Sequence, residues 1–150
     1  MPVITLITHI QAPIEVCFDL ARSVEIHLRS TAQTHEKVIG GVMTGLIGLN
    51  EEVTWEATHL GIRQRLTSRI TIFNRPAYFR DSMVRGAFKR FDHDHFFEHD
   101  HGITTMRDAF DYTSPLGLLG RMADIVILER YIERLLRTRA KVICAAAQAG

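Results

Sequence analysis

The sequence predicts an α+β fold in which a curved antiparallel sheet of about six to seven strands wraps around one long C-terminal helix. Three observations support this fold class. From Leu116 to Ala147 apolar residues recur at helical spacing, and neither proline nor glycine interrupts the run after Gly120. Between residues 51 and 112 apolar and polar residues alternate in successive segments that are separated by short turns. Two small helical segments follow a first strand near the N-terminus.

The N-terminal region predicts that strand and the two small helices. Val3 to Ile10 is rich in valine, isoleucine and threonine, which favours a strand. Pro13 suits the first turn of a helix that runs to about Ala21, because the N–H that proline lacks has no partner there. Ser23 can cap a second short helix.

Residues 31 to 50 are the least regular part of the sequence. Lys37–Ile39 is predicted to be a short strand, and four glycines from Gly40 to Gly48 interrupt the segment that follows. We interpret residues 40–48 as a mobile, gate-like loop. The alternative is that these glycines only allow turns.

Five further strands are predicted before the long helix, and the short turns between them favour antiparallel pairing of neighbours. In each strand one face is apolar and the other is polar, as in a sheet with one face in the core. A sheet of this length twists and curls. A helix of about 27 residues, about 40 Å long at 1.5 Å per residue, would pack inside the curl. The predicted strands are Glu52–Leu60, Ile62–Phe73, Ala77–Val84, Phe88–Glu98 and Ile103–Tyr112.

The composition is that of a soluble globular chain, with 46% hydrophobic and 23% charged residues among 150. Residues 1–150 are most simply one domain. A formal net charge of +1 gives no field that would favour nucleic acid. We expect a cytoplasmic protein, because the sequence shows no signal-peptide pattern and no uncharged run long enough to span a membrane. Cys17 and Cys144 are expected to be buried thiols rather than a disulfide.

Several short motifs carry a resemblance that covers nearly the whole chain: Ile10–Pro13 followed by Val16–Leu20, Trp55–Gly61, Phe79–Met83, Gly86–Phe97, and Thr105–Asp108 with Tyr112 and Pro115. On these motifs the sequence resembles the START-like, or Bet v 1-like, helix-grip superfamily (SRPBCC), in its bacterial polyketide cyclase/dehydrase and lipid-transport branch. The resemblance implies an apolar cavity between the sheet and the last helix, which would hold a hydrophobic or aromatic small molecule. It implies no catalytic residue, since no single motif belongs to the whole superfamily.

Four ionisable residues break the apolar pattern of the inward strand faces: Asp81, His93, His95 and Asp108. A buried carboxylate is costly unless it is paired, so these side chains, roughly 5 Å apart on adjacent strands, are expected to pair. Three interpretations stay open: a buried network that only fixes strand register, recognition of a polar ligand group, and proton-transfer catalysis. In the last case the four residues are the candidate catalytic groups for cyclisation or dehydration of a polyketide-like substrate.

The pair His93 and His95 also suggests a metal site, because residues i and i+2 on a strand share a face. Asp81 or Asp108 could supply a third ligand. No cysteine lies near in the sequence, and the second His-x-His sequence, at residues 99–101, lies in a predicted turn where polar residues are ordinary. We therefore predict no metal and no cofactor.

The remaining candidates are side chains that would line the cavity. Trp55 is either a core residue or a platform for the ligand, and His59 and Gln64 could line the cavity mouth. His27 and the arginine-rich stretch from Arg130 to Lys141 are expected at the surface. The predicted ligand-binding residues are Trp55, Leu66, Ser68, Phe79, Met83, Phe91, Met106, Phe110 and Met122.

Three functions are compatible with these features. The first is a binding module for a lipid-like or aromatic small molecule. The second is an enzyme of the cyclase or dehydratase type. The third is an interaction protein whose sheet edge or long helix meets a partner or a second copy, as in a homodimer. The sequence contains no phosphate loop, nucleophile elbow or dinucleotide fingerprint.

Overall fold

The structure, a computed structural model, describes residues 3–114 and 122–150, with the side chains of the last helix described from residue 125. The described strands form one antiparallel sheet in the order β1-β7-β6-β5-β4-β3-β2. The sheet curves around the last helix, which confirms the predicted α+β, helix-grip architecture. The elements are β1 (Val3–Ile10), α1 (Ile14–Ala21), α2 (Val24–Ser30), β2 (Lys37–Gly41), β3 (Glu52–His59), β4 (Ile62–Asn74), β5 (Tyr78–Arg85), β6 (Arg90–Asp100), β7 (Ile103–Thr113) and α3 (Met122–Ala149).

The helix boundaries follow from the residues that the sequence singles out. Pro13 stands immediately before α1, and the Ser23 hydroxyl accepts a hydrogen bond from the Ile26 N–H at 3.2 Å, which caps α2. α3 has 28 residues, a length of about 42 Å at 1.5 Å per residue. The part of the predicted helical run before residue 122 lies outside the described residues.

α3 packs one stripe of side chains against the interior. Its buried residues recur every three or four positions, which is the spacing of a single helix face. They are Ile132, Leu136, Ala140, Ile143 and Ala147.

The core at the end of the sheet near α1 is built around Phe18. Its side chain is fully buried and packs edge-on against the rings of Phe73, Phe79 and Phe97, with centroid distances of 5.4, 5.2 and 5.3 Å. Edge-to-face packing suits the ring quadrupoles and adds to the gain from burial. Phe18 therefore holds α1 against the strands that form the cavity walls.

A β-bulge in β4 corrects the predicted alternation of that strand. The sequence pattern puts Ile72 on the inward face together with Ile70, but the register against β5 shifts between these two residues. Ile72 is 42% exposed, whereas Phe73 turns inward against Phe18. A bulge adds one residue to one strand, so the side chains beyond it change face.

The outward face of the sheet carries paired charges. Glu56 contacts Arg63 at 3.2 Å and Arg65 at 3.0 Å, and Glu52 pairs with Arg69. The arginines on this face are therefore offset by acidic neighbours. Exposed pairs of this kind add little to stability, typically ~0.2–1 kcal/mol each.

The glycine-rich loop after β2 is tied to the corner between α1 and α2. The Val24 N–H donates to the Gly45 carbonyl at 2.9 Å, and the Ile47 N–H donates to the Arg22 carbonyl at 3.0 Å. The Gly45 N–H donates to the Glu25 carboxylate at 3.0 Å. Gly45 has a positive φ of 83°, which is the turn geometry that favours glycine. The gate-like role of this loop stays a prediction.

The two cysteines are free thiols; Cys17 is buried, whereas Cys144 is only half-buried.

Within residues 3–114 and 122–150, no helix combines the length and the apolar character needed to cross a membrane.

Candidate ligand-binding cavity

A cavity of about 530 Å³ lies between the inward face of the sheet and α3. Its walls are mostly apolar and come from α1, α2, β3 to β7 and α3. The two residues expected near its mouth, His59 and Gln64, line it. Six of the predicted ligand-binding residues also line it: Trp55, Leu66, Ser68, Phe79, Phe91 and Phe110.

The other three predicted ligand-binding residues lie elsewhere. Met106 is fully buried in the core, and Met83 is partly buried against it; neither is among the described residues that line the cavity. Both point inward, as their strand parity predicts, but inward-facing residues on a curved sheet can fill core instead of facing a void. The side chain of Met122 lies outside the described residues. The ligand-binding role of all nine residues stays a prediction.

The four inward ionisable residues form one connected network, as their parity predicts. The strand register sets Asp81 opposite His93 and His95 opposite Asp108. His93 Nε2 lies 3.0 Å from Asp108 Oδ1, and His95 Nε2 lies 2.7 Å from Asp81 Oδ2. His95 Nδ1 is 3.1 Å from the same Asp108 oxygen, an ion-pair contact that is not aligned as a hydrogen bond. The two imidazole rings stack at 3.9 Å.

Arg139 of α3 joins this network, which corrects its predicted place on an exposed helix face. Its side chain is only 13% exposed, with Nη1 3.6 Å from Asp108 Oδ1. Its Nη2 donates to the Ala21 carbonyl. The helical spacing in the sequence indicates this position. Arg139 follows Leu136 by three residues and precedes Ile143 by four, which puts it on the edge of the buried stripe. A long arginine stem can cross apolar surface and deliver its charged head to a buried carboxylate.

The contacts set the protonation of each group. Burial works against an ionised Asp108, but its contacts with His93 and His95 outweigh burial and hold the pKa of Asp108 well below its usual range. Burial likewise opposes the charge on Asp81, yet the hydrogen bond from His95 lowers the pKa of Asp81. For His95, burial is outweighed by the contacts with Asp108 and Asp81, and the pKa is raised. Burial and the neighbouring His95 lower the pKa of His93.

The network therefore pairs two carboxylates with the Arg139 guanidinium and with His95, whose protonated form these carboxylates favour. His93 favours its neutral form. His93 and Asp81 line the cavity; His95 and Asp108 stand behind them, with side chains 0% and 2% exposed. Only the first two, together with Arg139, are placed to meet a molecule in the cavity.

Three of these residues could also be considered as metal ligands. Asp81, His93 and His95 offer ligand atoms that all lie within 4.8 Å of one another. A divalent cation placed there would lie near the charge of Arg139, and it would have to displace the hydrogen bond between His95 Nε2 and Asp81. The expectation that no metal binds here stays a prediction.

A second polar group lines the cavity and consists of His27, Glu36, His59 and Tyr131. Of these four residues, only His59 was predicted to line the cavity. His27 was expected at the surface; instead it lines the cavity and pairs with Glu36. Its ring centroid lies 4.0 Å from that of Trp55, with the two ring planes tilted by 36°. Helical spacing carried the signal for His27, which is three residues from each of the buried residues Val24 and Ser30. Nothing in the sequence pattern singled out Glu36 or Tyr131.

The chain has the fold of the START-like and Bet v 1-like superfamily. It is similar to an aromatase/cyclase from Streptomyces sp. R1128, with a TM-score of 0.76 and 14% identity over 98% of this chain and 93% of that one. It is also similar to a START superfamily protein from Mycobacterium smegmatis, with a TM-score of 0.72 and 9% identity over 98% and 97% of the two chains. A protein from Thermus thermophilus gives a TM-score of 0.74 and 18% identity over 97% and 99%. At these identities the likeness establishes the fold.

No protein-family model matches the sequence. No curated protein matches it either.

Proposed function

We propose that this chain binds a hydrophobic or aromatic small molecule, lipid-like or polyketide-like, in the cavity between the sheet and α3. The observation that carries the proposal is the cavity itself, about 530 Å³ of space with mostly apolar walls and a few polar groups. Small-molecule sites typically have about 300–1,000 Å³ and this kind of lining. A ligand that buries ~250 Å² of apolar surface there would gain roughly 6 kcal/mol before the cost of association.

Filling the cavity tests this proposal. Ser68→Phe adds a ring to the cavity wall, whereas Thr71→Phe adds the same ring to the outward face of the same strand. The affinity for an apolar fluorescent dye should fall at least tenfold in Ser68→Phe, a loss of about 1.4 kcal/mol of binding free energy. The affinity of Thr71→Phe for the same dye should stay unchanged. Native mass spectrometry of the freshly purified protein looks for a co-purified ligand. A protein that carries no ligand and binds neither the dye nor any of a panel of lipids and aromatic compounds would contradict the proposal.

A second candidate function is proton transfer on a bound carbonyl compound, and the geometry of His93 favours it. His93 lines the cavity while its Nε2 donates to the ionised Asp108 at 3.0 Å. Since that bond places the proton on Nε2, Nδ1 keeps a lone pair that can take a proton from carbon next to a ligand carbonyl. Arg139 would stabilise the enolate oxygen that forms, and His95 would act as a positioning residue for both aspartates.

Isotope exchange separates this reaction from simple binding. His93→Gln keeps a donor for Asp108 but removes the imidazole base. An aromatic ketone probe should bind to this variant with nearly the same affinity, yet lose the protein-dependent exchange of its α-hydrogens for deuterium, measured by NMR. Exchange at the wild-type rate in His93→Gln would remove His93 from the mechanism, and absence of exchange in the wild type would leave binding alone.

A further inference from the structure

The second polar group of the cavity, here called the Tyr131 cluster, consists of His27, Glu36, His59 and Tyr131. The Glu36 side chain is only 6% exposed and pairs with His27 Nε2. His59 Nδ1 and the Tyr131 hydroxyl are 2.7 Å apart, and their rings meet edge-on at 5.7 Å. All four residues line the same cavity as Asp81, His93 and Arg139. Polar groups held in place around an apolar space are what fixes the orientation of a small molecule.

The Tyr131 cluster has free hydrogen-bonding capacity but does not suit an anion. Burial lowers the pKa of His59, although Glu36 opposes this, so the imidazole is neutral at pH 7. In either tautomer Nδ1 is used by Tyr131, which leaves Nε2 and the remaining lone pair of the Tyr131 hydroxyl for a ligand. Burial disfavours the charge on Glu36, but the contact with His27 outweighs burial and the pKa of Glu36 is lowered. A ligand carboxylate would therefore meet a negative charge here, whereas a hydroxyl or carbonyl would not.

The deep network of Asp81, His93 and Arg139 has the same preference for a different reason. Asp81 already contacts His95, and Arg139 already contacts Asp108 and the Ala21 carbonyl, so an added ionic group would have to compete with these buried contacts. A neutral oxygen group could accept from Arg139 and donate to Asp81 or to Nδ1 of His93. Both polar groups therefore favour an uncharged oxygen function.

The two polar groups are separated by an apolar stretch. Tyr131 and Arg139 both face the cavity from α3. Arg139 follows Tyr131 by eight positions, which corresponds to about 12 Å along the helix axis. Between them, Ile132, Leu135 and Leu136 also line the cavity. An occupant that reaches both polar groups needs an apolar body of about that length. One fused ring system or two linked ring systems would supply it.

We infer that the cavity takes an elongated, uncharged molecule with an apolar or aromatic body and a hydroxyl or carbonyl group at each end, one at the Tyr131 cluster and one at Arg139 with His93. This inference rests on the proposed binding function and narrows it to a ligand class.

The test compares matched probes and matched variants. The probes are the para,para′-dihydroxy, para-monohydroxy and para-hydroxy-para′-carboxylate forms of trans-stilbene, with affinities from isothermal titration calorimetry at pH 7. One additional neutral hydrogen bond should make the dihydroxy probe bind roughly three- to tenfold more tightly than the monohydroxy probe. The carboxylate probe should bind more weakly than the dihydroxy probe. In Tyr131→Phe, the ratio of the affinity for the dihydroxy probe to the affinity for the monohydroxy probe should fall to about one. Tyr78→Phe, which removes a hydroxyl on the outward face that bonds to Asp94, should keep the preference.

The outcomes separate the ligand class from the binding function. Equal affinities of the dihydroxy and monohydroxy probes in the wild type would overturn the two-ended ligand while the cavity would still be a binding site. A preference that survives in Tyr131→Phe, or a carboxylate probe that binds best, would also overturn it. If Tyr131→Phe is too unstable to assay, His59→Gln serves as the second variant, and it should reduce the same preference. Failure of every probe and of the apolar dye would overturn the binding function and this inference together.

Discussion

Asp108→Asn tests whether the inward network is a buried unit whose carboxylates and positive groups stabilise one another. Asp108 is 2% exposed, accepts from His93, and lies 3.1 Å from His95 Nδ1 and 3.6 Å from Arg139 Nη1. The substitution keeps the shape of the side chain but removes one of the two negative charges. Below the folded pKa of His95, His95 and Arg139 would then have only Asp81 as a carboxylate neighbour, and one buried positive charge would lose its partner.

The expected cost is large because removing one partner of a buried ion pair typically destabilises a protein by about 3–5 kcal/mol. For a chain of about 150 residues, 1 kcal/mol corresponds to roughly 2–4 °C in Tm, so Tm should fall by about 10 °C or more. Asp111→Asn is the matched control. It makes the same change on the same strand, but on the outward face, where Asp111 is 39% exposed and pairs with Arg90 at 3.1 Å. An exposed pair predicts a loss of at most ~1 kcal/mol.

Urea denaturation followed by circular dichroism measures both free energies of unfolding. The cost of Asp108→Asn should also depend on pH. The raised pKa of His95 adds stability that is fully present below about pH 6.5, the pKa of the unfolded state, and is lost as the pH rises through the folded pKa. The lowered pKa of Asp108 adds stability that is present above about pH 3.9 and is lost as the pH falls toward the folded pKa. The difference between wild type and variant should therefore be largest between about pH 4 and 6.5 and should shrink at alkaline pH. A cost no greater than that of Asp111→Asn, or one that grows with alkaline pH, would refute this reasoning.

Two further substitutions test the packing and the backbone. Phe18→Ala should lower the free energy of unfolding by about 3–5 kcal/mol, because it leaves a cavity among three rings. The control is Val16→Ala on the same helix, at a residue that is 40% exposed. In the same denaturation assay it should change the free energy of unfolding by no more than about 0.5 kcal/mol. Similar costs at both positions would contradict the central place of Phe18. Gly41→Ala should destabilise more than Gly61→Ala: both have positive φ, but a Cβ at Gly41 would lie 2.0 Å from the Glu52 carbonyl oxygen, whereas Gly61 has open space. Equal melting temperatures for the two alanine variants would show that the strand edge yields to the added methyl group.

Much of the strand pattern could be predicted because alternation is a local property. A period of two along β5, β6 and β7 fixes which side chains share the inward face, whatever the sheet packs against. This period is sufficient to predict that Asp81, His93, His95 and Asp108 share one face of the sheet. The same rule failed at Ile72, since a bulge depends on the partner strand, and one extra residue reverses the faces beyond it.

The sequence alone determined the element order, the long helix and the four inward ionisable residues of the strands β5 to β7, because periodicity and turn residues act over a few neighbouring positions. The tertiary structure decided which inward side chains face a void and which fill the core, since Phe110 and Met106 have the same parity but only Phe110 lines the cavity. It also decided that Arg139 meets Asp108 across the interior and that Tyr131 meets His59, contacts that join residues 31 and 72 positions apart. Pairings at that separation depend on how the helix is rotated against the curved sheet, and local sequence does not specify that rotation.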